Sequence, residues 1–225
     1  MNTDPLLCPY GDAPPADLLA WEEAWEGRPA LEYSQSWLPS PMPEFLPGRV
    51  QTGWSDQGWH VLAILQDKDI FNTARSPSEA SWESGDVFEI FLRPGGQDSY
   101  FEIHLTPENS GVRFRFPSTE FYWKMNGIHR PKTSWAFEHS YTPAHLSTST
   151  LVQADRGRWL AGATLPFSDF LENGETVPEQ PWRVSFCRYD YTRGRQKPVC
   201  SSTSKQAKAA FHRQTHWSPL TFARP

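Results

Sequence analysis

The sequence predicts an all-β protein, an antiparallel β-sandwich of jelly-roll type with two sheets of about nine or ten strands in total. Three observations carry that reading. The 225 residues include 11 Trp, 14 Phe and 7 Tyr, types that suit a pleated, half-buried surface. Turn formers, 21 Pro among them, punctuate the chain at short intervals, and helix-period apolar stripes are nearly absent. The third observation is a strict two-residue alternation between Phe88 and Phe116, the period of strands with one face in a core.

Residues 1–45 are rich in Pro and acidic side chains and read as an N-terminal arm packed on one domain that spans 1–225. Within the arm, residues 17–25 can form a short helix, with Trp21 and Trp25 on one face at i, i+4. Residues 31–37 read as a strand, closed by the breaker run Pro39 to Pro43. From Arg49 strands follow one another. Residues 58–66 are apolar at both parities, which predicts a central strand buried on both faces.

Residues 84–107 are the most informative stretch. Phe88, Ile90 and Leu92 share one face, and Glu89 and Arg93 the other. A turn at residues 94–98 follows. In the next run Phe101, Ile103 and Leu105 alternate with Tyr100, Glu102 and His104. In a third, Val112, Phe114 and Phe116 are expected to point inward and Arg113 and Arg115 outward. Three meander strands with one common apolar face are therefore predicted. Residues 121–133, with Tyr122, Trp123, Met125 and His129, read as irregular. Strands resume at 136–141, 147–154 and 158–165, the last two paired over Asp155 to Gly157. A helical turn at 166–171 and strands at 182–191 and 217–222 complete the set.

The net charge of -5 is mild and dispersed, which argues against a phosphate-binding surface and hence against nucleic acid as a partner. No stretch approaches the ~20 apolar residues of a membrane span. The opening has no basic start and no apolar run of signal-peptide length. A cytoplasmic protein is thus the expectation, or a secreted one if the N-terminus is incomplete, with a monomer as the default. Cys8, Cys187 and Cys200 form no disulfide or zinc pattern. They are expected to be free thiols, with a Cys187–Cys200 bridge as the alternative.

No motif for a nucleophilic, phosphate-binding or zinc enzyme is present. Glu89 and Glu102 fall on adjacent strands, the arrangement of a glycan-modifying enzyme with paired carboxylates, although exposed strand faces commonly carry such residues. Met42, Met125 and His129 do not offer two haem ligands across a cavity. Asp67, Asp69 and Asp86, at strand ends, make a candidate calcium site; no other cofactor is expected. A sugar needs a flat ring and polar side chains for its hydroxyls. Trp82, in a loop just before Glu89, is expected to be an exposed platform. Tyr122, Trp123 and Trp217 are further candidates, whereas Trp59, Trp159 and Trp182 share parity with core residues.

Several of these motifs together resemble the family 9 carbohydrate-binding modules and their DOMON-like relatives. They are the strand from Val61 that ends at Asp67 and Asp69, and the block Trp82, Asp86, Glu89 and Pro94 with Tyr100 to Ile103 behind it. The C-terminal series is Trp182, Phe186, Arg188 and Asp190, then Phe211, His212, Trp217, Leu220 and Phe222. The resemblance covers roughly residues 30–223. It implies a two-sheet sandwich, calcium in some members, and non-catalytic binding of a saccharide or chain end between two tryptophans. Position by position it implies Trp82 as one platform and Trp217 as the second, with Asp67 and Glu89 as polar contacts. Glu102 and Arg188 are weaker members of the expected site, Arg188 only if a bulge re-aims it. The alternatives are a haem- or apolar-ligand-binding DOMON-like domain and the Glu89/Glu102 enzyme.

Overall fold

The computed structural model describes residues 5–127, 132–172 and 178–223. In chain order the first strands are β1 (Leu6–Cys8), β2 (Leu31–Glu32), β3 (Gly48–Ser55) and β4 (Gly58–Gln66). Next come β5 (Val87–Arg93), β6 (Tyr100–Leu105), β7 (Arg113–Phe116) and β8 (Ser147–Gln153). The series ends with β9 (Arg158–Leu165), β10 (Trp182–Asp190), β11 (Val199–Ser202) and β12 (Ser218–Phe222). Among the described residues two α-helices, α1 (Leu18–Ala24) and α2 (Thr119–Gly127), accompany them.

These strands form a β-sandwich. The larger sheet has seven strands in the order β1-β12-β10-β5-β6-β7, with β11 also on β10; the smaller has five, β2-β3-β4-β9-β8. All pairs are antiparallel except β1 with β12, which is parallel. Between the sheets lies the main core, where Phe88, Ile90, Leu92, Phe101, Ile103 and Leu105 meet Val61, Ala63, Leu65 and the indoles of Trp59, Trp159 and Trp182.

β4 is buried on both faces for a specific reason. Its Leu62 and Ile64 turn away from the core and are covered by Leu18, Trp21 and Trp25 of the α1 region. Asp17 caps that helix by accepting from the amides of Leu19 and Ala20, the usual remedy for unpaired N-terminal donors. The N-terminal arm is therefore structural, since it covers one sheet and adds an edge strand to each.

Several local expectations are corrected. Residues 119–127 are helical rather than irregular, and residues 136–139 form a 3-10 turn rather than a strand. The strand expected over 31–37 reduces to two residues, and β1 and β11 carried no clear alternation. β7 presents the opposite face to the one expected. Phe114 pairs with Glu102 and Phe116 with Tyr100, while Arg115 pairs with Phe101. Phe114 and Phe116 thus join the outer face of the larger sheet. Parity fixes which residues share a face but not which face meets the core, and register decides that. His129 lies outside the described residues.

The outer face of the larger sheet is covered as well. Trp82, Phe91, Tyr100, Val112, Phe114, Phe116, Tyr122, Trp135, Phe211 and Trp217 form a second apolar cluster beneath α2 and the flanking loops. This second layer positions the site. No helix among the described residues is long and apolar enough to cross a membrane, and all three cysteines are free.

Candidate functional site

Beneath that aromatic layer sits a group of buried ionisable side chains. On β5 and β6, Glu89 lies directly opposite His104, so their side chains project together from the outer face. His104 Nε2 is 3.0 Å from Glu89 Oε1 and 2.7 Å from Glu102 Oε1. Its other nitrogen, Nδ1, lies 2.9 Å from the Ser81 hydroxyl. The Lys132 ammonium donates to the same Glu102 oxygen and lies 4.5 Å from the centre of a Trp82 ring. His212 stacks on Tyr122 at 3.6 Å and contacts the Tyr100 hydroxyl at 2.9 Å. Its Nε2 stands 3.5 Å from Glu102 Oε2.

A cavity of about 340 Å³ opens above this group, within the range of small-ligand pockets. Glu89 lies at its floor, Trp82, Tyr122, Trp123 and Phe211 contribute aromatic walls, and Lys132 and His212 add polar groups. Glu89 Oε2 is buried and has no hydrogen-bond partner. An unpaired buried acceptor carries a desolvation cost of ~1–3 kcal/mol or more, so this oxygen is an available acceptor for a donor entering the cavity.

The electrostatics differ between the two carboxylates. Burial raises the Glu89 carboxyl above its usual value, opposed mainly by His104. Burial would raise Glu102 too, but the Lys132 ammonium and the two histidines outweigh it and hold that carboxyl well below its usual value. Burial disfavours the His104 cation, yet Glu89 and Glu102 together raise its pKa. His212 is driven well below its usual value, chiefly by burial. The two carboxyls are thus shifted in opposite directions, Glu102 downward and Glu89 upward.

The expected site residues divide three ways. Trp82 and Glu89 line the cavity. Trp82 is not an exposed platform, however; it is 7% exposed and stacks on Phe137 with ring centres 5.9 Å apart. Glu102 lies beneath the cavity as a buried partner of His104 and Lys132. Trp217 packs behind it on Phe91 and Tyr100, with its indole N–H donating to the Phe211 carbonyl at 2.7 Å.

Asp67 and Arg188 belong elsewhere. Arg188 follows the parity of Phe186 and projects into the end of the sandwich, with no bulge to re-aim it. Its Nη2 lies 3.2 Å from Asp67 and 3.1 Å from Asp190 and also donates to the Gln66 carbonyl. Asp67, Asp86 and Asp190 can bring one carboxylate oxygen each within 4.8 Å of one another. Asp69 is absent from that trio; its carboxylate accepts from the Arg193 amide and guanidinium.

Three carboxylates are a hard-oxygen donor set of the kind calcium uses. The surroundings do not suit the ion. The Arg188 guanidinium already sits between two of the three, and both Asp86 oxygens accept backbone amides, of Phe71 and Tyr191. Burial, with Asp67 adding, pushes Asp86 up to about 8 against those amides. Burial likewise raises Asp190 to about 6, opposed by Arg188. Arg188 thus acts as the internal counter-ion of this cluster.

Lys132 carried no signal in the sequence; His104 and His212 entered only as a residue of the alternating strand and as part of the C-terminal series of the resemblance, without a role in the site. His104 did carry a signal, since period two places it on the face of Glu102. Lys132 and His212 reach the site from segments with no periodicity.

No protein-family model matches the chain, and no curated protein matches it at significance. Solved structures share its fold. One is described as a putative carbohydrate-binding protein from Bacteroides uniformis, with 11% identity and a TM-score of 0.70 over 97% of this chain and 98% of the other. Another is a family 9 carbohydrate-binding module from Caldicellulosiruptor kristjanssonii. In complex with cellotriose it aligns at 10% identity and a TM-score of 0.61, over 97% and 93% of the two chains. In complex with glucose the values are 12% and 0.59, over 98% and 96%. The chain thus has the sandwich fold of a family 9 carbohydrate-binding module along nearly its whole length.

Proposed function

We propose that this protein binds a carbohydrate without altering it, in the cavity over Glu89. The observation that carries the reading is the unpartnered Glu89 Oε2 at the floor of an aromatic-walled cavity of about 340 Å³. A sugar hydroxyl donates to that oxygen, the Lys132 ammonium and neighbouring polar groups meet other hydroxyls, and the aromatic walls cover the apolar C–H faces. The fold shared with structures holding cellotriose and glucose supports the same reading.

Binding is favoured over hydrolysis by the placement of the two acids. Glycosidases need both carboxyls flanking the scissile bond, but Glu102 is shut beneath Lys132 and His104 and does not line the cavity. Among the described residues no methionine lines it either, so the Met–His pair of the haem alternative is not found there. Calcium is not needed for this mode of binding.

A glycan array followed by calorimetry on the hits tests the proposal. Wild-type protein is expected to bind a saccharide, and Glu89→Gln to lose about tenfold or more in affinity, because the amide puts a donor in place of one of the two carboxyl oxygens. Release of sugar products, or saccharide binding untouched by Glu89→Gln, would count against it.

A further inference from the structure

A second concavity lies on the same outer face, and the charged side chains among its described lining residues are all arginines. The parity that turns Glu89 outward also turns Arg93 outward, four residues on and thus ~13 Å along the strand. Arg183 on β10 is directly opposite Arg93 in the pairing register. Like charges in that relation are destabilising. Arg213, from the loop before β12, closes the same cleft, about 720 Å³ in volume. Among the described residues that line it, none is acidic.

The donors are largely uncommitted. Arg213 Nε is buried without a hydrogen-bond partner, and its guanidinium lies 5.9 Å from a Trp123 ring centre. Arg183 donates to the Trp217 carbonyl through Nη1 alone. Arg93 is partly buried, and burial lowers its pKa; Arg183 pushes the same way, with only Asp98 opposing. Guanidinium groups present forked donors that match planar oxyanions. Two of them held face to face at a cost in stability, with a third added, describe an arrangement an anion would relieve.

Trp123 links the cleft to the cavity. It is 37% exposed and lines both. We propose that Arg93, Arg183 and Arg213 form an anion subsite with Trp123 at its rim, and that the glycan bound by this protein is acidic. Its carboxylate or sulfate group sits among the arginines while another sugar of the same chain lies over Glu89. This proposal rests on the carbohydrate reading above. The ~13 Å separation calls for an oligosaccharide rather than a single sugar.

The test is calorimetry on the full chain with cellotriose, trigalacturonate, a sulfated cellotriose and inorganic sulfate. The variants are Arg93→Gln and Arg213→Gln. Wild-type protein is expected to prefer an acidic trisaccharide over cellotriose, with the preference falling as salt rises. Each variant should narrow that preference by about tenfold. The carboxylated and sulfated chains show which oxyanion is taken. Arg93→Gln should melt no lower than wild type, because it removes one of two opposed cations; this separates lost binding from lost folding.

Equal affinity for neutral and acidic chains, unchanged by either variant, would overturn the anion subsite and leave the carbohydrate reading standing. If no trisaccharide binds at all, the carbohydrate reading fails. The acidic-glycan assignment then fails with it, even if sulfate alone binds.

Discussion

Replacing Arg188 with Met is the most direct probe of how the end of the sandwich is held together. Its guanidinium stands 3.2 Å from Asp67 and 3.1 Å from Asp190. At an effective dielectric constant of about 20, each such contact supplies ~5 kcal/mol of attraction. The three carboxylates can approach within 4.8 Å of one another, so each ionised pair repels by at least ~3.5 kcal/mol on the same scale. Without the cation, protonation of one or two carboxyls relieves most of this. The remaining loss should be about 3–5 kcal/mol, as for other buried pairs that lose one partner. For a chain of this length that is a fall of roughly 6–20 °C in melting temperature.

The pH dependence gives a second check. Asp86 and Asp190 have folded values of about 8 and about 6, both raised above the unfolded value. A carboxyl raised in this way favours folding while protonated, and that advantage is lost as pH rises through the folded value. The deficit of Arg188→Met should therefore be smaller at pH 5 than at pH 8. Millimolar calcium should leave the wild-type melt unchanged, because the Arg188 guanidinium already stands between the carboxylates. The assay is thermal unfolding by circular dichroism at both pH values, with and without calcium. A variant melting within about 2 °C of wild type at pH 8 would refute the counter-ion role, as would an equal deficit at both pH values.

Other substitutions test the cavity and its frame. Trp82→Ala removes a ring packed on Phe137, Phe114 and His104 and should cost about 3–5 kcal/mol of stability; an unchanged melt would restore the exposed-platform reading. Glu102 has a depressed folded pKa, below its usual 4.5, so its stabilisation is present above that value and lost as pH falls through the folded one. Glu102→Gln should thus show its largest melting deficit near neutral pH, shrinking toward acid, and a deficit that grows in acid would contradict this. Gly111→Ala would place a Cβ 1.9 Å from the His104 carbonyl oxygen, a backbone atom that no rotamer change can move. It should cost at least the ~1–3 kcal/mol of an overpacked core, measured by denaturant unfolding, and a neutral result would show that β6 and β7 can separate freely.

The sequence by itself determined the sandwich and most of its strands, because period two is a local property that folding cannot change. The alternation at 88–105 placed Phe88, Ile90 and Leu92 opposite Glu89 and Arg93, and the structure keeps that division. Parity likewise identified Trp59, Trp159 and Trp182 as core and aligned Arg188 with Phe186. Tertiary structure alone decided what covers each face. The alternation of Glu89, Glu102 and His104 suits a solvated surface as well as a buried one, and only the layer of α2 and its loops makes it a buried network. Register decided that Phe114 and Phe116 of β7 join that outer layer. Lys132 and His212 reach Glu102 from 30 and 110 residues away in sequence, given by 132−102 and 212−102, through loops whose composition carries no period. Asp190 joined Asp67 and Asp86 in the same way, displacing Asp69, because strand ends from both sheets meet only once the sandwich is closed. Local pattern sets the face on which a side chain stands; long-range packing sets what it meets there.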